Sequence, residues 1–255
     1  MGRVEYKYLV PQSKLPALRS SLQPYLELDV YSKLCASNAY TVRSIYFDTP
    51  RLANYHDKIA GIKQRRKVRI RGYNSYADDA AIFLEIKRKN GPTINKARFR
   101  TDFEKIGNIL GRNRKSHPQS IEQNRDLIAF YYQVFSSQLK PVIKVIYERE
   151  AYFYHFNREL RITFDTNIRS SLSSNLHELY NERRVVPAFR NYFILEIKTS
   201  GEFPEWLTQV IGKFHLQNEA LSKYTLNLDA QRKKSPCLEK TILSQKAYLP
   251  CYFQN

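Results

Sequence analysis

Acidic side chains and cysteines are scarce in this chain of 255 residues, and long apolar runs are missing. Asp and Glu together number 24 against 42 Lys and Arg, a formal net charge of +18 at pH 7. A surplus of that size costs stability through self-repulsion, so it points to a polyanionic partner. Nucleic acid, an anionic membrane face and a polyphosphate-type molecule all qualify. Cys35, Cys237 and Cys251 are far apart and odd in number, with no CxxC. That spacing argues against a disulfide framework and against a thiolate zinc site. No run of about 18 apolar residues is free of charge, so no membrane-spanning helix is expected. The opening MGRVEYKYLV is charged and strand-like rather than a signal peptide, and the expected compartment is cytoplasmic.

The common nucleotide and hydrolase motifs are absent too. There is no GxxxxGK[ST] loop, no GxGxxG and no GxSxG. His56, His117, His155, His177 and His215 show no HExxH or other metal-binding spacing.

What is present is a series of strands. Val4, Tyr6, Tyr8 and Val10 alternate with Glu5, Lys7 and Leu9, the period of a strand. Leu15, Leu18, Leu22 and Leu26 then recur at helical spacing, with Ser13 as a cap and Pro16 in the first turn. Further strands are expected at Val42 to Phe47, Lys63 to Arg71, Ile82 to Lys89 and Asn95 to Arg100. Gly107 to Gln119 reads as an exposed loop. A helix is expected from Ser120, with Ile121, Leu127, Ile128, Tyr131, Val134 and Phe135 on its apolar face. Beyond Pro141, strands are expected at Val142 to Glu150, Ala151 to Phe156, Leu160 to Asp165 and Asn191 to Thr199, then a helix at Pro204 to Leu216. The segment after Asn227 has little periodicity and reads as a loosely held tail. One domain over residues 1–228 with a peripheral tail over 229–255 is therefore expected. Eight or more strands with three helices, lacking regular strand–helix alternation, suit a mainly β (α+β) fold. A closed antiparallel β-barrel with helices packed outside solves the edge-strand problem.

The strand period also sorts the charges. Lys63, Arg65, Lys67, Arg69 and Arg71 share one face of their strand; Glu85, Lys87 and Lys89 share one face of the next. Arg161, Thr163 and Asp165 oppose Leu160, Ile162 and Phe164, and Glu196 and Lys198 oppose Leu195 and Ile197. A solvated outer face accounts for any one of these strands. For the whole set, with helices and aromatic faces packing around the barrel, the charged faces are expected inside. Like charges gathered there require a neutralising ligand. Phosphate is suited to that role, because Arg presents a rigid fork to its oxygens and Lys a point charge. The acidic Glu196 and Glu85 fit beside phosphate if a divalent cation with oxygen ligands lies between them.

Several segments together resemble one known family. They are RVEYKYLV (3–10), SIYFDTPRLANYHDK (44–58), RRKVRIRGY (65–73), FLEIKRK (83–89), KVIYEREAY (144–152), LRITFDTNI (160–168), ILEIKT (194–199) and LSKYTL (221–226). In order and spacing they are similar to the VTC domain, the polyphosphate polymerase module of vacuolar transporter chaperone proteins and bacterial relatives, within the CYTH-like triphosphate tunnel superfamily. The resemblance implies a tunnel barrel lined by Lys7, Arg69, Arg71, Lys87, Arg149, Arg161, Lys198 and Lys223. It implies Tyr147 and Ser222 as secondary phosphate contacts, and Lys67 and Lys89 share the parity of the lining residues. It also implies that Glu196 carries a divalent metal, Mn2+ or Mg2+. The implied activity is transfer of the γ-phosphate of ATP to a growing polyphosphate chain. Superfamily triphosphatases and cyclases open on ExExK, whereas here Arg3 stands in place of the first glutamate in Arg3-Val4-Glu5-Tyr6-Lys7. That departure disfavours two-metal hydrolysis.

The function expected is thus an ATP-dependent polyphosphate polymerase, with ATP and inorganic polyphosphate as partners. A non-catalytic polyphosphate-binding or sensing module and a tripolyphosphate hydrolase are the alternatives. No nucleic acid is expected, and peripheral contact with a membrane or a partner protein remains open.

Overall fold

In a computed structural model, residues 4–77, 80–91, 93–110, 124–173 and 175–234 are described. Among them the chain forms β1 (Val4–Pro11), α1 (Leu15–Leu22), β2 (Leu26–Leu28), α2 (Val30–Lys33), β3 (Tyr40–Asp48) and α3 (Ala53–Ile59). There follow β4 (Gln64–Tyr73), β5 (Ala81–Asn90), β6 (Thr93–Asp102), α4 (Ile106–Leu110), α5 (Arg125–Ser136), β7 (Lys140–Tyr154) and β8 (Asn157–Leu172). Last come β9 (Val186–Pro187), β10 (Tyr192–Thr199), α6 (Glu205–Lys213) and α7 (Lys223–Lys234). The strands hydrogen-bond in the order β1-β10-β8-β7-β3-β4-β5-β6, with β2 on β7 and β9 on β8. The described pairings β1–β10, β10–β8, β2–β7, β4–β5 and β5–β6 are antiparallel. Among the described residues the order is not circular. The antiparallel sheet and helices of the expected fold are present, while closure into a barrel is not part of this hydrogen-bonding.

Two compact units divide the chain. The first comprises Met1–Val42, Ile146–Arg169 and Phe189–Ser222. Its core gathers Tyr8 and Val10 from β1, Leu15, Leu18 and Leu22 from α1, and Leu160, Ile162 and Phe164 from β8. Phe193, Leu195 and Ile197 of β10 and Leu207, Val210 and Phe214 of the α6 region complete it. The alternation of β1, β8 and β10 places these apolar side chains on one face of each strand and the charges on the other. The leucines of α1 form the stripe its spacing predicts, but Leu26, grouped with them by the same period, belongs to β2. No side chain caps α1; Ser13 lies in a 3-10 turn ahead of it.

The second unit comprises Arg43–Val145, Ser170–Ala188 and Lys223–Asn255. Val68 and Ile70 of β4, Ile82, Leu84 and Ile86 of β5, and Ala97 of β6 pack with Leu127, Phe130 and Val134 of α5. Burying each large aliphatic or aromatic side chain contributes roughly 1.5–3 kcal/mol, which holds this helix on one face of the three strands. The side chain of Asn124 caps α5, accepting from the backbone N–H groups of Asp126 and Leu127. The buried face turns further than expected. Phe130 and Gln133 lie inward, whereas Ile128 and Phe135 are exposed. Residues 120–123, where this helix was expected to begin, lie outside the described residues, as do Arg3, Cys237 and Cys251.

Three further expectations change. Residues 106–110 of the expected loop form α4, and residues 111–119 lie outside the described set. Val142 to Phe156, read as two strands, is mostly the single strand β7. The segment past Asn227, read as aperiodic, continues α7 to Lys234. Its buried side chains include Thr225, Asn227 and Gln231, which hydrophobic periodicity does not register.

Candidate functional site

In the second unit, the face of β4–β6 turned away from α5 carries a block of cations. Register aligns Lys67 with Lys87 and Lys87 with Lys96, and Arg65 with Lys89. Like charges directly opposite one another in a sheet destabilise it unless an anion is shared between them. One row along, Arg69, Glu85 and Arg98 are aligned. Glu85 is the anion here: Arg69 Nε donates to it at 2.7 Å, with Arg98 at 3.3 Å and Arg71 at 3.7 Å. Burial raises the Glu85 carboxyl, but Arg69, Arg71 and Arg98 outweigh it and hold its pKa down to about 2.

Arg69 is also held from β3. Its Nη1 donates to the Tyr46 hydroxyl at 3.1 Å, and its guanidinium carbon lies 5.7 Å from that ring's centre. Tyr46 stacks on Tyr224 of α7 at 5.3 Å. Tyr224 donates in turn to Asp48 at 2.6 Å, and Asp48 also accepts from the backbone N–H groups of Thr49, Asn54 and Tyr55. One fully buried carboxylate thus fixes the start of α3 and the first turn of α7, which carries Lys223. Lys223 acts electrostatically on Tyr46 together with Arg69 and Arg71.

The first unit holds a constellation on β1, β10, β8 and β7. Register sets Glu5 opposite Lys198 and Lys7 opposite Glu196, a checkerboard of two acids and two bases. Lys7 Nζ lies 3.0 Å from Glu5 and 4.0 Å from Glu196, and Lys198 pairs closely with Glu196. Glu196 is buried, and burial lowers the Lys198 ammonium despite that carboxylate. Next to Lys198 in register is Arg161, whose Nη2 donates to Asp29 at 3.1 Å. Asp29 also caps α2, accepting from Tyr31 N–H. Arg149 grips Asp165 bidentately, Nε at 2.6 Å and Nη2 at 2.8 Å, and lies 5.2 Å from the centre of the Tyr147 ring. Its fork is committed to that carboxylate, leaving Nη1 for any further anion. Tyr147 and Ser222 are both buried in this unit.

Of the residues expected to bind phosphate, Lys7, Arg149, Arg161, Lys198, Tyr147 and Ser222 thus fall in the first unit. Lys67, Arg69, Arg71, Lys87, Lys89 and Lys223 fall in the second. Sequence reasoning missed Lys96 and Arg98, although the alternation of Lys96, Arg98 and Arg100 carries the same signal as β4. It missed the counter-ions Asp29 and Asp165 because their partners lie far away along the chain or across a strand pair.

Among the described residues no group of three or more His, Cys, Asp or Glu side chains could hold a metal by itself. Glu196, with Glu5 on the neighbouring strand, fits a weaker demand. Mg2+ is commonly held by one or two carboxylates with phosphate oxygens completing its shell. The donor set suits a divalent cation that arrives with a phosphate ligand.

Comparison with known proteins settles the kinship. The family model of the VTC domain matches residues 2–230. The chain belongs to the VTC domain family. It is similar to vacuolar transporter chaperone complex subunit 4 of Trypanosoma brucei brucei, 22% identical over 264 residues, covering 87% of this chain and 33% of that protein. Subunit 4 of Schizosaccharomyces pombe is 24% identical over 259 residues, covering 86% of this chain and 35% of its own length. This VTC domain chain spans about a third of the length of these relatives. Among solved structures, a candidate adenylate cyclase from Bacillus halodurans aligns with TM-score 0.50 at 14% identity, covering 87% of this chain and 96% of that one. A candidate adenylyl cyclase from Hippeastrum with a dominant triphosphatase activity aligns with TM-score 0.50 at 15% identity, covering 89% and 96%. At such identities these two speak for the fold alone. Among the described residues no helix is long and apolar enough to cross a membrane.

Proposed function

We propose that this VTC domain is a polyphosphate polymerase that transfers the γ-phosphate of ATP to a growing chain of inorganic polyphosphate. The observation that carries the reading is the aligned row of Lys67, Lys87 and Lys96 beside three arginines that share one carboxylate. Such a face carries a surplus of positive charge, and a linear polyanion with closely spaced charges complements it. Membership of the VTC family supports polyphosphate as that polyanion. The reading includes closure of the sheet into a tunnel, which the resemblance and the edge-strand argument support, and a cytoplasmic setting, which the widely spaced, odd-numbered cysteines support.

Each side chain then has a definable task. Arg69 and Arg71, oriented by Glu85, hold phosphate oxygens by charge-assisted hydrogen bonds, and Lys67, Lys87, Lys89 and Lys223 supply point charges. In the first unit Lys7, Lys198, Arg161 and Arg149 bind phosphate, with Tyr147 and Ser222 as further contacts. Phosphoryl transfer demands mainly positioning and neutralisation of charge on the transferring group, which is what such residues provide. A divalent metal, Mn2+ or Mg2+, supplies Lewis-acid neutralisation of phosphate oxygens when bound, and Glu196 would hold it with Glu5.

The second reading is a module that binds polyphosphate without catalysis. It is favoured by the engagement of Glu196 with Lys198, which lets that acid serve as a counter-ion only. Two substitutions separate the readings. Arg69→Ala should weaken binding of tripolyphosphate and lower turnover together. Glu196→Gln keeps the side chain's size but loses its charge, so turnover should fall about 100-fold, roughly 2.7 kcal/mol of barrier. Metal-free binding should be unchanged or tighter. A Glu196→Gln protein that elongates polyphosphate at the parent rate contradicts the metal-holding role.

A further inference from the structure

Tyr46 is 5% exposed and lies on β3 amid the cations of the second unit. Its hydroxyl oxygen accepts from Arg69 Nη1. That bond uses a lone pair and leaves the hydroxyl's own proton to be placed. No acceptor for it is found among the described residues: the acidic groups of this cluster are taken, Glu85 by arginines and Asp48 by Tyr224 and three backbone N–H groups. A buried O–H donor without an acceptor is destabilising, so its retention here calls for a ligand that accepts.

The ring is held independently of that proton. It stacks on Tyr224, and Arg69 lies over its face. The hydroxyl therefore has a fixed direction, and the charges around it are Arg69, Arg71 and Lys223. Burial pushes the Tyr46 phenol up, yet these three cations outweigh it and leave its pKa below the ordinary tyrosine value. A phenol made more acidic by its surroundings is a stronger hydrogen-bond donor to an oxyanion, and a bound oxyanion in turn keeps the proton on the phenol.

We infer that Tyr46 is a further phosphate-binding residue of this cluster, its hydroxyl accepting from Arg69 and donating to a phosphoryl oxygen of the bound polyphosphate. The inference deepens the proposed function and rests on it. Tyr46 joins Arg69 and the ligand in one hydrogen-bonded unit, so it both orients the guanidinium and contacts the anion. Oxyanions of the phosphate class suit it, because Arg69, Arg71 and Lys223 surround the hydroxyl with positive charge.

Tyr46→Phe keeps the ring, its stack on Tyr224 and its contact with Arg69, and removes the hydroxyl alone. Calorimetric titration with tripolyphosphate should show binding weakened about tenfold or more, as expected for a lost hydrogen bond to a charged group. A second measurement follows the ionisation of the phenol itself. Tyrosinate absorbance against pH, taken as the difference between the parent and Tyr46→Phe, should contain one phenol that ionises early without ligand. Saturating tripolyphosphate should move that ionisation to higher pH. Parent affinity retained by Tyr46→Phe, or an ionisation that tripolyphosphate does not move, overturns this assignment and leaves the proposed function standing. A parent protein that binds no tripolyphosphate overturns both.

Discussion

Glu85 is the position where a single substitution should reveal most about the cationic face. It is one carboxylate among Arg69, Arg71 and Arg98, and its side chain is only 15% exposed. Its pKa falls from the ordinary 4.5 to about 2 in the folded chain, after burial has opposed the arginines. That fall corresponds to on the order of 3 kcal/mol of folding free energy at neutral pH. A depressed folded-state pKa means the stabilisation is complete above the ordinary value and is lost as pH drops from 4.5 through about 2. Glu85→Gln should therefore unfold at lower urea concentration than the parent in phosphate-free, low-salt buffer at neutral pH. The gap should narrow as pH drops below about 4.5, where the carboxyl of the unfolded chain takes up its proton before that of the folded chain, and close toward about pH 2. Tripolyphosphate should restore much of the lost stability, and it should bind the variant more tightly because three arginines are released. Equal stability of the two proteins at neutral pH, or a gap that does not shrink in acid, refutes the counter-ion role.

Two other substitutions test the scaffold. Asp48→Asn should cost about 3 kcal/mol or more, because an amide NH2 replaces one carboxylate oxygen and each of those oxygens accepts from two donors, Thr49 and Asn54 N–H on Oδ1 and Tyr55 N–H and the Tyr224 hydroxyl on Oδ2; chemical denaturation would read it, and an unchanged midpoint would count against the arrangement. Phe130→Ala, at a fully buried site edge-on to Phe47 at 6.0 Å, should cost roughly 3–5 kcal/mol in the same assay, and a loss below about 1 kcal/mol would mean α5 is not held by that ring.

The period of two made the charged faces of β4, β5 and β10 legible from sequence. Arg69, Arg71, Lys87, Glu196 and Lys198 occupy the parity expected of them because side chains on a strand must alternate. Periodicity does not say which strands pair. It therefore missed that Glu85 stands between Arg69 and Arg98, that Arg149 is bound to Asp165, and that Lys7 faces Glu196. It also does not say whether a sheet closes. The helix α7 escaped because polar side chains anchor it: Gln231 donates to the Ser170 carbonyl at 2.7 Å, and Asn227 to that of Lys223 at 2.7 Å. α3 escaped because its start is organised by Asp48, several residues earlier, after Leu52 adopts a left-handed conformation with φ 54°. Tyr46 reads in sequence as one more core aromatic between Ile45 and Phe47. Only its neighbours show that its hydroxyl lies among cations.

The central claim is that the chain makes polyphosphate, and it is tested most directly by incubating the purified protein with ATP and either Mn2+ or Mg2+. Products separated on a gel should form a ladder extending to long chains, with ADP released in proportion to the phosphate incorporated. Release of free phosphate without chain growth, or no product with either metal even when a short polyphosphate primer is supplied, would contradict the account.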